Sequence, residues 1–260
     1  MQALAAKPTQ LATIAAGLPQ NFFHNRSNPD CVQRNGAFCF SWAIDNFHTY
    51  VGPALKQAMI VSISVSVGFV IAMGLALLSH RYRKLVPPLT GFTGILYTVP
   101  SLAFFALLLP ITGFGTETAV IALSAYTLQI IYRNVVTGLG NVPAGSKDAG
   151  RGMGMTRRQL LWRVELPLAV PEIIAGLRVA TVSTVALATL AFFAGAGGLG
   201  EKIYTQIDFK TNIILAGGLA ILMAIVFDAL LVAIQRLATP WRSNRSSVTL
   251  QALRHLRRSA

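Results

Sequence analysis

The sequence predicts an all-α fold, a polytopic membrane helical bundle with about five transmembrane helices, and three observations predict it. Of its 260 residues 53% are hydrophobic and only 12% charged, with a mean hydropathy of +0.57, whereas soluble domains carry roughly 25% charged residues. The charges are also segregated: Gln57–Ser79, Leu85–Thr116, Val179–Gly200 and Thr211–Phe227 contain none. A helix rises about 1.5 Å per residue and the hydrocarbon core is about 30 Å thick, so roughly 20 apolar residues span it. The first three of these runs reach that length. Third, the net charge of +13 comes from few charges in total. That pairing argues against a soluble nucleic-acid binder, whose basic residues would sit on a solvated surface, and against a disordered chain, which needs low hydrophobicity.

The helices are expected near 55–79, 89–111, 117–137, 171–194 and 212–236. The first ends at the basic run His80-Arg81-Tyr82-Arg83-Lys84. The second contains Pro100 and Pro110, which remove backbone donors and predict a kink or an early end. Such a break is tolerated in hydrocarbon only where neighbours or water satisfy the freed carbonyls. The third is short: Thr118 to Tyr132 covers only about 22 Å, so Arg133 must snorkel to an interface. The fourth carries Glu172 and Arg178 in its first two turns, where snorkelling is easy. The fifth contains Asp228 about two-thirds along. An intramembrane charge costs roughly 2.5–3.5 kcal/mol at a helix centre, so Asp228 either marks a hydrophilic translocation path or makes a structural hydrogen bond to a neighbouring helix.

Orientation follows from the Lys and Arg residues. With five spans, fifteen of them fall on the side of the 80–84 loop, the 133–163 segment and the C-terminal tail, against six on the other. The expected topology has the N-terminus outside and the C-terminus in the cytoplasm. Met1–Gln20 is Ala-rich, but its apolar stretch from Leu11 to Leu18 is too short to span, and with Lys7 as its only basic flank it is a weak signal peptide at best. Cys31 and Cys39 share the expected outer side, which permits a disulfide between them; two free thiols are the alternative.

The most informative segment joins the third and fourth spans. A simple connection needs about five residues, and this one runs to about thirty, so it is expected to be structured and functional. Pro143 suits a first helical turn. Gly150, Gly152 and Gly154 weaken helix and allow a sharp bend. Thr156 followed by Gln159 fits a capping box that opens a second helix, with Leu160, Leu161 and Val164 on its apolar side. Pro167 then marks the approach to the fourth span.

Other motifs carry less. Gly195-Ala-Gly-Gly-Leu-Gly200 matches the dinucleotide fingerprint G-x-G-x-x-G formally, but it follows a membrane span rather than a strand, and reads as a turn. No G-x-x-x-x-G-K-[ST] loop occurs. The four histidines have no metal-ligand spacing, and no Ser or Cys stands beside a plausible base. The chain is expected to be a non-catalytic subunit with no metal.

Asp148-Ala149-Gly150, three residues, Gly154, nine residues, then Val164-Glu165-Leu166-Pro167 resembles the coupling-loop signature of bacterial ABC importer permeases, Glu-Ala-Ala, three residues, Gly, nine residues, Ile-x-Leu-Pro. Asp replaces Glu, Gly replaces the second Ala and Val replaces Ile, with the spacing intact. Val99-Pro100-Ser101-Leu102-Ala103, Arg133-Asn134, Gly152-Met153-Gly154-Met155, Arg163-Val-Glu-Leu-Pro-Leu168 and the 195–200 glycine run extend the resemblance over roughly 52–240, to permeases of the osmoprotectant subfamily. It implies a type I importer permease in the bacterial inner membrane that moves glycine betaine, choline or carnitine. It also implies a second permease subunit, an extracytoplasmic substrate-binding protein and a cytoplasmic ATPase that holds the ATP and Mg. Asp148, Ala149, Gly150, Gly154, Val164, Leu166 and Pro167 would then form the ATPase-coupling loop. A quaternary ammonium prefers aromatic faces, which makes Tyr97 and Tyr126, with Asp228, candidates for the translocation path. The chain divides accordingly into an extracytoplasmic extension (1–51), a permease domain (52–240, coupling loop 139–167) and a basic tail (241–260). An importer permease for another solute such as an amino acid, a self-sufficient secondary transporter and an interaction scaffold are the competing readings.

Overall fold

The structure, a computed structural model, describes residue 35 and residues 38–240, and every regular element among them is a helix. A short helix α1 (Phe40–Asn46) leads into α2 (His48–Arg81). A 3-10 turn (Arg83–Leu85) connects α2 to α3 (Val86–Thr98), α4 (Ser101–Thr112) and α5 (Thr116–Gly140). The connecting hairpin holds α6 (Ala144–Gly152) and the single turn α7 (Arg157–Leu160). A π-helical turn (Leu161–Glu165) joins α7 to α8 (Leu166–Ala188). A 3-10 turn (Ala191–Ala194), α9 (Leu199–Thr205) and α10 (Lys210–Ala238) complete the described chain. Four helices are long and apolar enough to cross a membrane, and five spans result if the bent pair α3–α4 counts as one. The protein is a multi-pass membrane protein.

The second expected span is where the structure differs most from a simple reading. It is two helices bent by 96°, and the break falls at Pro100 rather than Pro110. Proline forces the residue before it out of the helical region, and Val99 is extended at φ −66°, ψ 127°. Pro110 lies in the last turn of α4, just before Gly113, and breaks nothing. The two halves run along α5 in succession. Thr93 on α3 hydrogen-bonds Gln129, Phe105 on α4 packs with Leu123 and Ala119, and Thr112 lies 2.6 Å from Thr118. Tyr126 donates its hydroxyl to the Val99 carbonyl. That bond supplies the partner which an apolar medium demands for a freed carbonyl.

α5 is the axis of the bundle, and α2 and α8 pack against it and against each other. Apolar side chains from all three fill two clusters. One is around Val61, Leu123 and Val185, the other around Ala76, Ile131 and Ala180. Lipid is as apolar as leucine, so helices in a membrane associate through close packing at small residues. Gly68 and Gly176 serve this purpose. A Cβ on Gly68 would stand 1.7 Å from Thr127 Oγ1, and one on Gly176 would stand 2.4 Å from the Asn134 Cβ.

Two further boundaries shift for identifiable reasons. α2 begins at His48, well before the expected 55, because Tyr50 packs with Leu199, Ala216 and Ala220 and holds the first turns against α9 and α10. The fourth span is continuous with the hairpin's second helix, a 32-residue run from Arg157 to Ala188. Pro167 stands inside this run, directly after the π turn, and has no N–H to give to the preceding turn. α10 is peripheral: only 11% of its most apolar window is buried.

Gly68→Ala is expected to push α2 from α5 and cost about 1–3 kcal/mol, as overpacking does. Gly74→Ala, on the same helix with nothing within 4 Å of its Cβ position, is expected to leave the melting temperature in detergent unchanged or slightly raised.

Candidate functional site

The hairpin between α5 and α8 is built by local chain rules. Pro143 precedes α6 as its N-cap in extended conformation (φ −54°, ψ 135°), one position earlier than the sequence suggests. At the other end of α6, Gly154 takes φ +75°, which only glycine adopts cheaply. The Gly154 N–H donates to Arg151 O at 2.9 Å, and the Met155 N–H to Gly150 O at 3.1 Å. This pair of bonds is a Schellman motif that closes the helix. Of the three glycines, only Gly154 makes the bend; Gly150 and Gly152 stay helical. The expected capping box follows at once. The Gln159 N–H donates to Thr156 Oγ1 at 3.3 Å, and the Thr156 N–H donates back to Gln159 Oε1 at 2.9 Å.

The two arms then pack face to face. Leu160 is buried, and its Cδ1 would lie 2.6 Å from a Cβ on Gly150. The glycine that departs from the Glu-Ala-Ala pattern therefore sits at the tightest contact of the hairpin. Asp148 and Ala149 point outward and are exposed, with Asp148 3.4 Å from Arg151. Val164 lies within the π turn near Gly150, Leu166 packs into the core cluster beside α5, and Pro167 opens α8. The coupling-loop residues thus fall into an exposed pair, a buried hinge and an attachment to the fourth span.

One anchor of this hairpin has no signal in the sequence. His80, at the end of α2, places Nε2 2.7 Å from Oε2 of Glu165, whose side chain is 7% exposed. The two residues are 85 apart in sequence, and Glu165 stands at the unspecified position of the Ile-x-Leu-Pro pattern.

The three translocation-path candidates do not form one site. Tyr126 is buried, covered edge-on by Tyr97 (centroids 6.0 Å) and Phe104 (5.6 Å), with its hydroxyl committed to Val99. It braces the bend of the second span. Tyr97 is 46% exposed and presents an accessible ring. Asp228 lies apart from both, between α8 and α10. There Arg178 donates to it through both Nε (2.7 Å) and Nη2 (2.8 Å). Arg178 therefore does not snorkel away, as its place in the first turns suggested; a bidentate partner within reach outweighs solvation.

The opposite end holds a second set of polar contacts. Gln57, fully buried, accepts from the Leu199 N–H at 2.9 Å through Oε1 and donates to Val185 O at 3.3 Å. The glycine run is an ordered turn, with positive φ at Gly195, Gly197 and Gly198. The Cys39 N–H donates to Thr211 Oγ1 at 2.9 Å, and Cys39 is not a free thiol. Cys31 lies outside the described residues, as do 1–34 and the 241–260 tail. Among the described residues no group of His, Cys, Asp and Glu could hold a metal ion.

Removing one member of an ion pair held between two apolar spans strands the other. Arg178→Met alone is therefore expected to lower the melting temperature in detergent more than Arg178→Met together with Asp228→Leu. Equal losses would mean that the pair is uncoupled.

Residues 47–243 match the family described as binding-protein-dependent transport system inner membrane component. The chain is 36% identical over 180 residues to the glycine betaine/carnitine/choline transport system permease protein OpuCB of Bacillus subtilis (strain 168), covering 68% of this chain and 83% of that protein. It is 36% identical to the osmoprotectant import permease protein OsmW of Salmonella typhimurium, covering 76% and 96%. Among solved structures it is similar to the MetNI methionine ABC transporter in an inward-facing form, with a TM-score of 0.63 at 22% identity, covering 74% of this chain and 95% of that one. A second, an amino acid ABC transporter, gives a TM-score of 0.64 at 17% identity, covering 76% and 98%. At these identities the solved structures show the fold alone.

Proposed function

The chain belongs to the binding-protein-dependent transport system inner membrane components, and on that premise we propose that it is the permease subunit of an ATP-driven importer for glycine betaine, choline, carnitine or a related quaternary amine. The observation that carries the coupling role is the hairpin: an exposed Asp148-Ala149 face on a short helix closed at its C-terminus by two backbone hydrogen bonds and followed at once by a capped second helix. The substrate class rests on the relatives, whose names speak of osmoprotectants.

The geometry supports the following mechanism. The exposed face of α6 seats on a separate ATPase subunit, which holds ATP and Mg. Gly154 and the Leu160–Gly150 contact make the hairpin one rigid body. That body continues through the π turn into α8 without a loop, so a displacement of α6 tilts a membrane-spanning helix directly. An ATPase dimer that binds the hairpin differently in its open and closed states thereby biases the permease between inward-open and outward-open forms. A second permease subunit, identical or similar, supplies the other half of the path, and an extracytoplasmic binding protein delivers the substrate.

The hairpin end, with Arg81, Arg83, Lys84, Lys147 and Arg157, is the cytoplasmic side in this reading. The Gln57–Leu199 end is then extracytoplasmic, and a Cys31–Cys39 bridge fits an oxidising compartment. Full thiol labelling of the native chain without reductant would rule that bridge out.

The deciding experiment reconstitutes the chain with its ATPase in proteoliposomes. Hydrolysis is expected to rise with a betaine- or choline-loaded binding protein. Association with an ATPase but no response to quaternary amines would keep the family role and discard the substrate. Gly154→Pro forbids φ +75° and removes the N–H that bonds Arg151 O. It is expected to abolish uptake while hydrolysis and membrane insertion persist; normal uptake would overturn the coupling role.

A further inference from the structure

Beneath the hairpin, on the side facing the end of α2, lies a cavity of about 630 Å³. Six basic side chains line it: Arg81 and Arg83 from the end of α2 and the turn after it, Lys147 and Arg151 from α6, and Arg157 and Arg158 from α7. The carboxylate in its wall, Glu165, is held by His80 at 2.7 Å. Asp148 lies 3.4 Å from Arg151. Among the described residues Arg83, Arg157 and Arg158 make no ion pair. Like charges gathered this closely repel one another, and an anion between them relieves that repulsion.

A second opening shares two wall residues with the first. An apolar groove of about 170 Å³ is lined by Ala76, Val86, Val136 and Leu139 and meets the cavity at His80 and Arg83. It lies at the level where the apolar run of α2 ends, at Ser79. A basic cavity adjoining an apolar groove at that depth is complementary to one chemistry, a phosphate diester carrying acyl chains. Neither a soluble anion nor an acidic protein segment uses both parts.

We propose that cavity and groove together bind an anionic phospholipid, with its phosphate among Arg83, Arg157 and Arg158 and the start of one acyl chain along Val136 and Leu139. Basic pockets between membrane helices take lipid headgroups in this way. The bound lipid bridges the end of α2 to the hairpin and braces α6 from the side opposite its exposed face. The site is independent of which solute the protein carries.

The test is native mass spectrometry of the full-length chain, released from micelles that contain phosphatidylglycerol or phosphatidylcholine. Retention of phosphatidylglycerol is expected to exceed that of phosphatidylcholine by about an order of magnitude. Arg83→Gln with Arg157→Gln is expected to remove that preference, Arg83→Lys with Arg157→Lys to keep most of it, and Arg236→Gln, at the far end of α10, to leave it unchanged. Val136→Phe, which narrows the groove and leaves every charge in place, is expected to weaken retention without lowering the melting temperature. Equal retention of the two lipids overturns the proposal, as does an equal loss in Arg236→Gln. Displacement of the lipid by millimolar inorganic phosphate assigns the cavity to a soluble anion and overturns the lipid.

Discussion

The close approach of α5 to its two neighbours is the contact on which the remaining structure depends. In hydrocarbon, burying leucine against leucine brings little gain over leucine against lipid, so a bundle needs surfaces that fit at backbone distance. Gly68 on α2 and Gly176 on α8 provide them, both against one face of α5, at Thr127 and at Asn134 about two turns further along. With these three helices fixed, the bent pair α3–α4 has a rail to follow, and α8 has a defined axis from which the hairpin projects. α10, barely buried, is held by other means, including the Arg178–Asp228 pair and the contacts of Asn212 with Tyr50 and Lys202 O.

Polar groups in this bundle mark the places where the backbone departs from a straight helix or where two elements need fixed relative positions. Tyr126 meets the carbonyl freed by the Pro100 bend, Gln57 meets the N–H of Leu199 beyond the glycine turn, and Glu165 meets His80 beside the π turn. Each is buried, and each serves main-chain geometry or an element junction. An aromatic residue in a membrane helix invites a ligand-binding reading, yet for Tyr126 the nearer demand is structural.

Much of the architecture was legible in the chain. The uncharged runs located the spans because nothing else explains such segregation of charge. The hairpin followed from Thr156, Gln159 and the glycines, whose effects are local and need no knowledge of the fold. What escaped notice depends on distant partners. Arg178 has an easy route to solvent in the sequence, and only the packing of α8 on α10 brings Asp228 within reach. His80 and Glu165 meet for the same reason. The bend at Pro100 was foreseeable as a kink, but its size of 96° reflects α5, which both halves must follow. The early start of α2 likewise reflects the docking of Tyr50 against later helices.

The π turn at Leu161–Glu165 has a geometric consequence for the hairpin. Here the Leu166 N–H bonds to Leu161 O, five residues back, so the helix carries one more residue than an α-helix would over the same rise. Each residue advances the azimuth by about 100°. The compass bearing of Asp148 and Ala149 around the axis of α8 is therefore set by a count of residues. The nine-residue interval between Gly154 and Val164 acts as an angular setting. Removing one residue from the widened turn would let an ordinary α-turn take its place and leave the hairpin's bearing nearly unchanged, whereas removing one from the α-helical turn before it would swing the hairpin by about 100°.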